Sequence, residues 1–284
     1  MKTNQNLKIK LALSAFALIF SGTSFSQSAP ESREIPKLVI KDSDMEHRWS
    51  VYWGWNRENY TKSDINFKGS DHNFTLSDVQ AKDKQSPLSH LFTTILNPGK
   101  MTIPQTNARV AYKLDNESAV ALNLDHMKYV VKDGQTVAAS GYYGSTTYGA
   151  NATQLLDPSY MHYEHTDGLN IISLEYERYY PMTFVDLGVP SRLFANVGAG
   201  ILYPKSNITL TMLNQTRSDR FHVAGYSGAI SGGAEVDFTK RFFGRLAAKV
   251  GYVNMPDVVT SYRGDKASQH FMYSEYIMAF GFRF

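Results

Sequence analysis

The chain has 284 residues, 43% of them hydrophobic and 19% charged, with a formal net charge of +3. That composition excludes a disordered chain, and the weak charge gives no ground for a nucleic-acid partner. There is no cysteine, so disulfides, thiol nucleophiles, cysteine–metal sites and a cysteine-acylated lipoprotein anchor are all excluded.

Residues 1–26 read as an export signal. Lys2, Lys8 and Lys10 make a basic start, Leu11 to Phe20 an apolar run, and Ser24 and Ser26 a small-residue cleavage point before Gln27. The run is too short for a membrane helix, which needs about 20 apolar residues. Residues 27–46 read as a polar periplasmic tail. No comparable apolar run follows. Residues 47–284 are therefore expected either to be soluble in the periplasm or to cross a membrane as a closed β-barrel, the other spanning structure that pairs every backbone group.

Alternation with a period of two recurs from residue 48 onward. In 48–57, Trp49, Val51, Trp53 and Trp55 share one face, which therefore carries all three tryptophans. In 107–115, Ala108, Val110, Tyr112 and Leu114 oppose Asn107, Arg109 and Lys113, and Asp115-Asn116-Glu117 signals a turn. Residues 118–131 set Val120, Leu122 and Leu124 against Asn123 and Asp125. Residues 170–180 set Ile172, Leu174 and Tyr176 against Glu175 and Glu177. Residues 192–203 alternate Leu193, Ala195, Val197, Ala199 and Ile201 with Phe194, Asn196 and two glycines. Residues 222–238 set Ala224, Tyr226, Ile230, Ala234 and Val236 against Ser231, Glu235 and Asp237, with a turn at 239–241. Residues 242–254 set Leu246, Ala248, Val250 and Tyr252 against Arg245 and Lys249. Residues 273–284 set Tyr276, Met278, Phe280, Phe282 and Phe284 against Glu275, Gly281 and Arg283.

These runs predict an all-β, antiparallel transmembrane β-barrel of eight strands, each close to the ~9–11 residues of a tilted spanning strand. A hairpin within 58–106 leaves ten or twelve strands open. Connections alternate between long (58–106, 132–169, 204–221, 255–272) and shorter (116–117, 181–191, 239–241). That is the layout of a bacterial barrel with short periplasmic turns and long outer loops, both chain ends facing the periplasm. Its narrow lumen must be filled by side chains, and buried charges there must pair. The expected lumen network is Arg109, Lys113, Asp125, Glu175, Glu177, Glu235, Asp237, Arg245, Lys249 and Arg283. Trp49, Trp53 and Trp55 are expected to face lipid. Two charges fall in the apolar phase. Arg178 lies near a strand end, and Lys128, beside His126, is expected at the outer rim near lipid phosphates.

The final run resembles the C-terminal signature of bacterial outer-membrane barrels, a terminal Phe preceded by apolar or aromatic residues at alternate positions. The resemblance implies that Tyr276, Met278, Phe280, Phe282 and Phe284 are read by the barrel-assembly machinery. In strand number and loop layout the chain is similar to the small barrels of the OmpA, OmpX and OmpW type, which implies a Gram-negative outer-membrane location after signal cleavage.

No catalytic set emerges. Asp125 and His126 are adjacent on a strand and point to opposite faces. The His-x-Ser pairing of outer-membrane lipid A deacylases is missing at His222, and Asp71-His72 and Asp125-His126 do not reproduce the omptin protease arrangement. His162, Glu164 and His165 would gather round a metal only on a helical turn, since on a strand His165 leaves the face of the other two. Asp64, Asp71, Asp78 and Asp83 read as a solvated acidic loop. No cofactor or metal is expected.

The expected role is non-enzymatic: a wall with a charge-filled lumen that anchors long Tyr-rich outer loops. Tyr142, Tyr143, Tyr148, Tyr160 and Tyr163 are suited to protein or glycan contacts. Expected partners are outer-membrane lipid and lipopolysaccharide. The alternatives are porin-like passage of small molecules, if the barrel is wider, and a lipid or peptide hydrolase at the rim.

Overall fold

A computed structural model describes residues 47–84, 105–183, 187–215 and 221–284. The export signal and the polar tail lie outside the described residues. In chain order the strands are β1 (Trp49–Tyr60), β2 (Ser63–Lys68), β3 (His72–Val79), β4 (Ala81–Asp83), β5 (Thr106–Lys113), β6 (Ser118–Val131), β7 (Gln135–Tyr143) and β8 (Thr146–Thr147). They continue with β9 (Thr153–Leu156), β10 (His162–Pro181), β11 (Ser191–Leu202), β12 (Asn207–Thr209), β13 (Gly225–Asp237), β14 (Phe242–Val259) and β15 (Lys266–Arg283). Among the described residues the only helical piece is the single 3-10 turn Thr211–Leu213, and no helix is long and apolar enough to cross a membrane.

Eight long strands pair antiparallel in the order β1-β5-β6-β10-β11-β13-β14-β15. The ring closes where β15 returns to β1, from Ser50 opposite Arg283 to Tyr60 opposite Tyr273. A closed ring has no edge, so no ladder of backbone groups is left unpaired. The all-β antiparallel barrel read from the sequence is the fold observed.

The apolar residues of these strands point outward. Trp49, Trp53, Val110, Leu122, Leu174, Val197, Ile230, Leu246, Met278 and Phe280 are all exposed on the outside of the wall, and Trp55 is half-buried in the same row. Tyr276, Phe282 and Phe284 continue that outer face. The band can be measured along β14, where Phe242, Leu246, Ala248, Val250 and Tyr252 share the outer face. Ten residues separate Phe242 from Tyr252, and a rise of about 3.4 Å per residue at a tilt near 45° gives about 24 Å of height. Aromatic rings mark both borders: Trp49, Tyr112, Phe242 and Phe280 at one end, Tyr203, Phe221, Tyr226 and Tyr252 at the other.

One end of the barrel carries the short turn 114–117, where Arg178 meets Glu117 at 2.8 Å, together with the turn 238–241. Trp49 and Phe284 pair at this same end. At the other end the wall continues as a folded head, in place of the expected loops. β10 starts at His162 and β6 runs on to Val131, so the connection read as 132–169 is largely strand. The hairpin β2–β3 is no part of the ring. It stacks on the head end of β15, Ile65 opposite Gln269, and passes the sheet on to β7, β8 and β9.

The head has its own apolar core. Tyr60, Phe67, Phe74, Tyr129, Tyr163, Met255 and Phe271 lie inside it, with Phe67 stacked on Phe74 and Tyr129 on Phe271, each at 4.8 Å. This corrects the reading of the second loop as a set of surface tyrosines. Tyr160 and Tyr163 are 5% and 1% exposed, Tyr143 and Tyr148 pack against the core, and Tyr142 alone of the five stands out from it. Ala224 likewise belongs to the core and not to the outer face.

The same pleat face changes character along one strand. On β6 the inward residues are Asn123 and Asp125, then Met127, Tyr129 and Val131. On β14 they are Arg245 and Lys249, then Val253 and Met255. Water replaces hydrocarbon outside the head, so the greasy side turns in.

The outer face gives a direct test. Leu246 sits mid-band and exposed. Leu246→Arg should cost about 2–4 kcal/mol of stability in a bilayer, measured by urea unfolding in liposomes, because it places a cation near the hydrocarbon midplane.

Candidate functional site

The distinctive chemistry lies in the barrel interior, where the inward positions of facing strands converge. Near the turn end, Arg283 meets Asp237 at 2.7 Å and also pairs with Glu235, while Arg192 pairs with Asp237 and stands 3.4 Å from Glu235. In the middle, Arg245 bridges Glu235, at 3.1 Å, and Glu177. Arg109 reaches Glu175 at 3.0 Å and Glu177 at 3.2 Å. Lys249 contacts Asp125 at 2.8 Å and Glu175 and Glu275 at 3.6 Å each.

Neutral donors add to the shells of these carboxylates. Asn56 donates to Glu275 at 2.8 Å, Asn196 to Glu175 at 3.0 Å, and Asn107 to Asp125. Aromatic faces take the guanidinium planes: Arg245 lies 3.4 Å from the Phe194 ring centre and Arg283 4.4 Å from that of Phe243. The small inward residues make this possible. A side chain on Gly281 would strike the Phe243 ring.

The structure thus brings Arg109, Asp125, Glu175, Glu177, Glu235, Asp237, Arg245, Lys249 and Arg283 into one connected set. Lys113 is buried at the turn end of β5. Sequence reasoning missed two members. Arg192 shares the phase of Asn196 but stands at the strand start. Glu58, buried opposite Glu275, continues the alternation of β1 into a stretch read as loop.

Other candidates separate. Asp125 points in to Lys249, and His126 points out to Asn170 at 2.7 Å, which leaves no dyad. His126 and Lys128 are both buried, Lys128 at 6%, so neither presents itself at the rim as expected. His162 and Glu164 share a face on β10, 3.4 Å apart, while His165 turns inward to Ser206 at 2.7 Å. Asp71 pairs with His72, Asp83 with Gln105, and Asp64 with the backbone of Asp78. Among the described residues no group of three or more such side chains could hold a metal.

His165 lies in the head, outside the apolar band. Gln269 donates to its Nε2 at 3.2 Å, so Nδ1 carries the proton that is given to Ser206. Burial holds its imidazole down at about 3, against a smaller upward pull from Glu164 and a further push down from His222.

No protein-family model matches the chain, and no curated protein sequence matches it either. Among solved structures, the chain is similar to AlkL, an outer membrane protein solved in DMPC bilayers, at 10% identity and a TM-score of 0.38, covering 92% of this chain and 97% of that one. It is similar to Neisserial surface protein A at 10% identity and 0.36, covering 83% and 97%. It is similar to the attachment invasion locus protein Ail of Yersinia pestis at 11% identity and 0.35, covering 84% and 99%. The barrel assignment rests on the strand pairing and not on these likenesses.

Two outcomes are expected. Arg245→Ala strands the buried carboxylates Glu177 and Glu235 and should cost about 3–5 kcal/mol; in a double-mutant cycle with Glu177→Gln, urea unfolding should show the pair costing less than the sum of the single changes. His165 titrates near 6.5 when unfolded and about 3 when folded. Acid therefore binds the unfolded head preferentially, and stability complete above pH 6.5 falls as pH drops toward 3, by up to about 1.4 kcal/mol per unit. Proteolysis of the head between pH 7 and 4 should show this slope, and His165→Gln should flatten it.

Proposed function

We propose that the chain is an exported protein of the bacterial outer membrane: a sealed barrel that holds a rigid β-rich head at the cell surface and serves a structural or surface-contact role without enzymatic activity. The observation that carries the reading is the division of the strand faces. On β14 the outward face is apolar over about 24 Å, close to the band of such barrels, and the inward face of the ring is an ion-pair network whose charges are buried from water. The turn end, with its short connections and both described chain ends, then faces the periplasm, and the head faces outward.

The alternate residues Tyr276, Met278, Phe280, Phe282 and Phe284 lie on one exposed face of the last strand, an accessible face for the assembly machinery in an unclosed barrel. The head offers protein or glycan partners a polar sheet face: Asn73 stands opposite the exposed Tyr142, and Thr75 opposite Ser140. Porin-like passage is disfavoured twice, by the charges of the lumen and by the apolar core that closes the head end.

The test is reconstitution of the whole chain. Unboiled protein should migrate differently from boiled protein on a gel, and planar bilayers should show no steady conductance. Regular conductance steps, or swelling of liposomes in sugar, would overturn the sealed reading.

A further inference from the structure

β4 fills a break in the wall at the base of the head. β6 pairs with β5 as far as His126, opposite Thr106, and with β4 from Tyr129, opposite Asp83. β4 and β5 therefore lie end to end along one edge of β6. β1 flanks the same stretch, yet β4 pairs with β6 alone. Among the described residues the polar link from β4 to β1 is the side chain of Asp83. It accepts the Glu58 backbone N–H and meets the Glu58 carboxyl within hydrogen-bonding reach. Gln105 spans the two, its amide nitrogen donating to Glu58 Oε2 and to Asp83 Oδ1. The pair lies past the apolar band, whose last member on β1 is Trp55.

Two carboxylates cannot hydrogen-bond to each other, because an ionised carboxyl only accepts. The remaining oxygens show the deficit. Glu58 is 5% exposed, and its Oε1, like Asp83 Oδ2, is a buried acceptor that receives no donor. Nearby cations are engaged elsewhere. Arg57, in the outward phase of β1, donates to the Asn56 carbonyl at 2.8 Å and to Gln105 Oε1 at 3.1 Å. Lys249 of β14 contacts Asp125 and Glu275, and Lys84 reaches Glu164 of β10 at 3.1 Å. Lys128 lies in the outward phase of β6. Asp125 of β6 and Glu275 of β15 add negative charge, and Tyr60, Tyr129 and Tyr273 are phenols with none to offer at neutral pH. Two anions in such a site cannot both ionise freely.

We propose that Glu58 and Asp83 share one proton and form a pH latch: with the proton in place β4 is held to β1 and the wall is sealed, and without it the carboxylates repel and the seam between β1 and β4 opens. The proton leaves to solvent by way of Asp83, which is half-buried. Burial pushes the Asp83 carboxyl up from its ordinary value, against the hydrogen bonds from Gln105 and Glu58 that pull it down. In the open seam both groups are ordinary carboxyls that titrate near 4, so the closed seam binds the proton more tightly. Closure is complete in acid. It weakens as pH rises, by up to about tenfold per unit in the ratio of open to closed, until the closed pair also ionises. This slope is opposite in sign to that of His165, whose effect ends above pH 6.5.

The chain has no cysteine, so nitroxide labels introduced through Asn59→Cys and Lys82→Cys, both exposed positions, report the seam by pulsed EPR. The whole chain is folded in detergent and titrated from about pH 6.5 to 9.5. The short distance should dominate at the acid end, and a longer one should grow reversibly toward the alkaline end, by up to about tenfold per unit. Glu58→Gln and Asp83→Asn each put a permanent N–H donor in place of the proton, so each should hold the short distance throughout. A distance that stays constant with Glu58 and Asp83 both present overturns the proposal without recourse to the variants. So does a lengthening that persists in both variants. The difference between boiled and unboiled protein on a gel, taken at each pH, reports the ring. Its loss together with the short distance would mean global unfolding, and the latch would fall.

Discussion

Hydrocarbon offers a backbone no hydrogen-bond partner, and that constraint organises the molecule. A wall in lipid must pair all its own N–H and C=O groups, which forces the first and last strands of the ring together along Ser50 to Tyr60. Closure then dictates side-chain placement. The outward face must be apolar, the inward face is what remains, and with eight strands the interior has room for side chains and little else.

Buried ion pairs seldom add stability over well-packed apolar groups, so the density of charge here needs another reason. A wall greasy on both faces would hold its strands equally well in two registers. With Arg245, Glu177 and Lys249 inward, a slip by one residue would drive them into lipid. The network thus supplies discrimination between pairings, and the Arg–aromatic contacts to Phe194 and Phe243 fix where each cation rests.

The barrel was legible in the sequence because this constraint writes a simple pattern: Val120, Leu122 and Leu124 against Asn123 and Asp125 is hard to read as anything else. The head was hidden because its strands obey the opposite rule. Beyond Asn170 on β10 and Asn254 on β14 that alternation fails, so an unbroken strand reads as a strand that has stopped. Irregularities at His165/Leu169 and Met255/Val258 break the period further. Tyr160 and Tyr163 were misplaced for that reason, since each was judged by the polarity of a loop that proved to be core, and Lys128 was set at a rim that the head covers.

The pairing of β2 with β15 has a consequence for biogenesis. Ile65 emerges early, yet its partner Gln269 lies some two hundred residues downstream, a long closure that local structure cannot anticipate. The head sheet is therefore templated by β15, the strand that also closes the ring. A chain interrupted before β15 forfeits the anchor of its head along with the cylinder, so the two are gained or lost together.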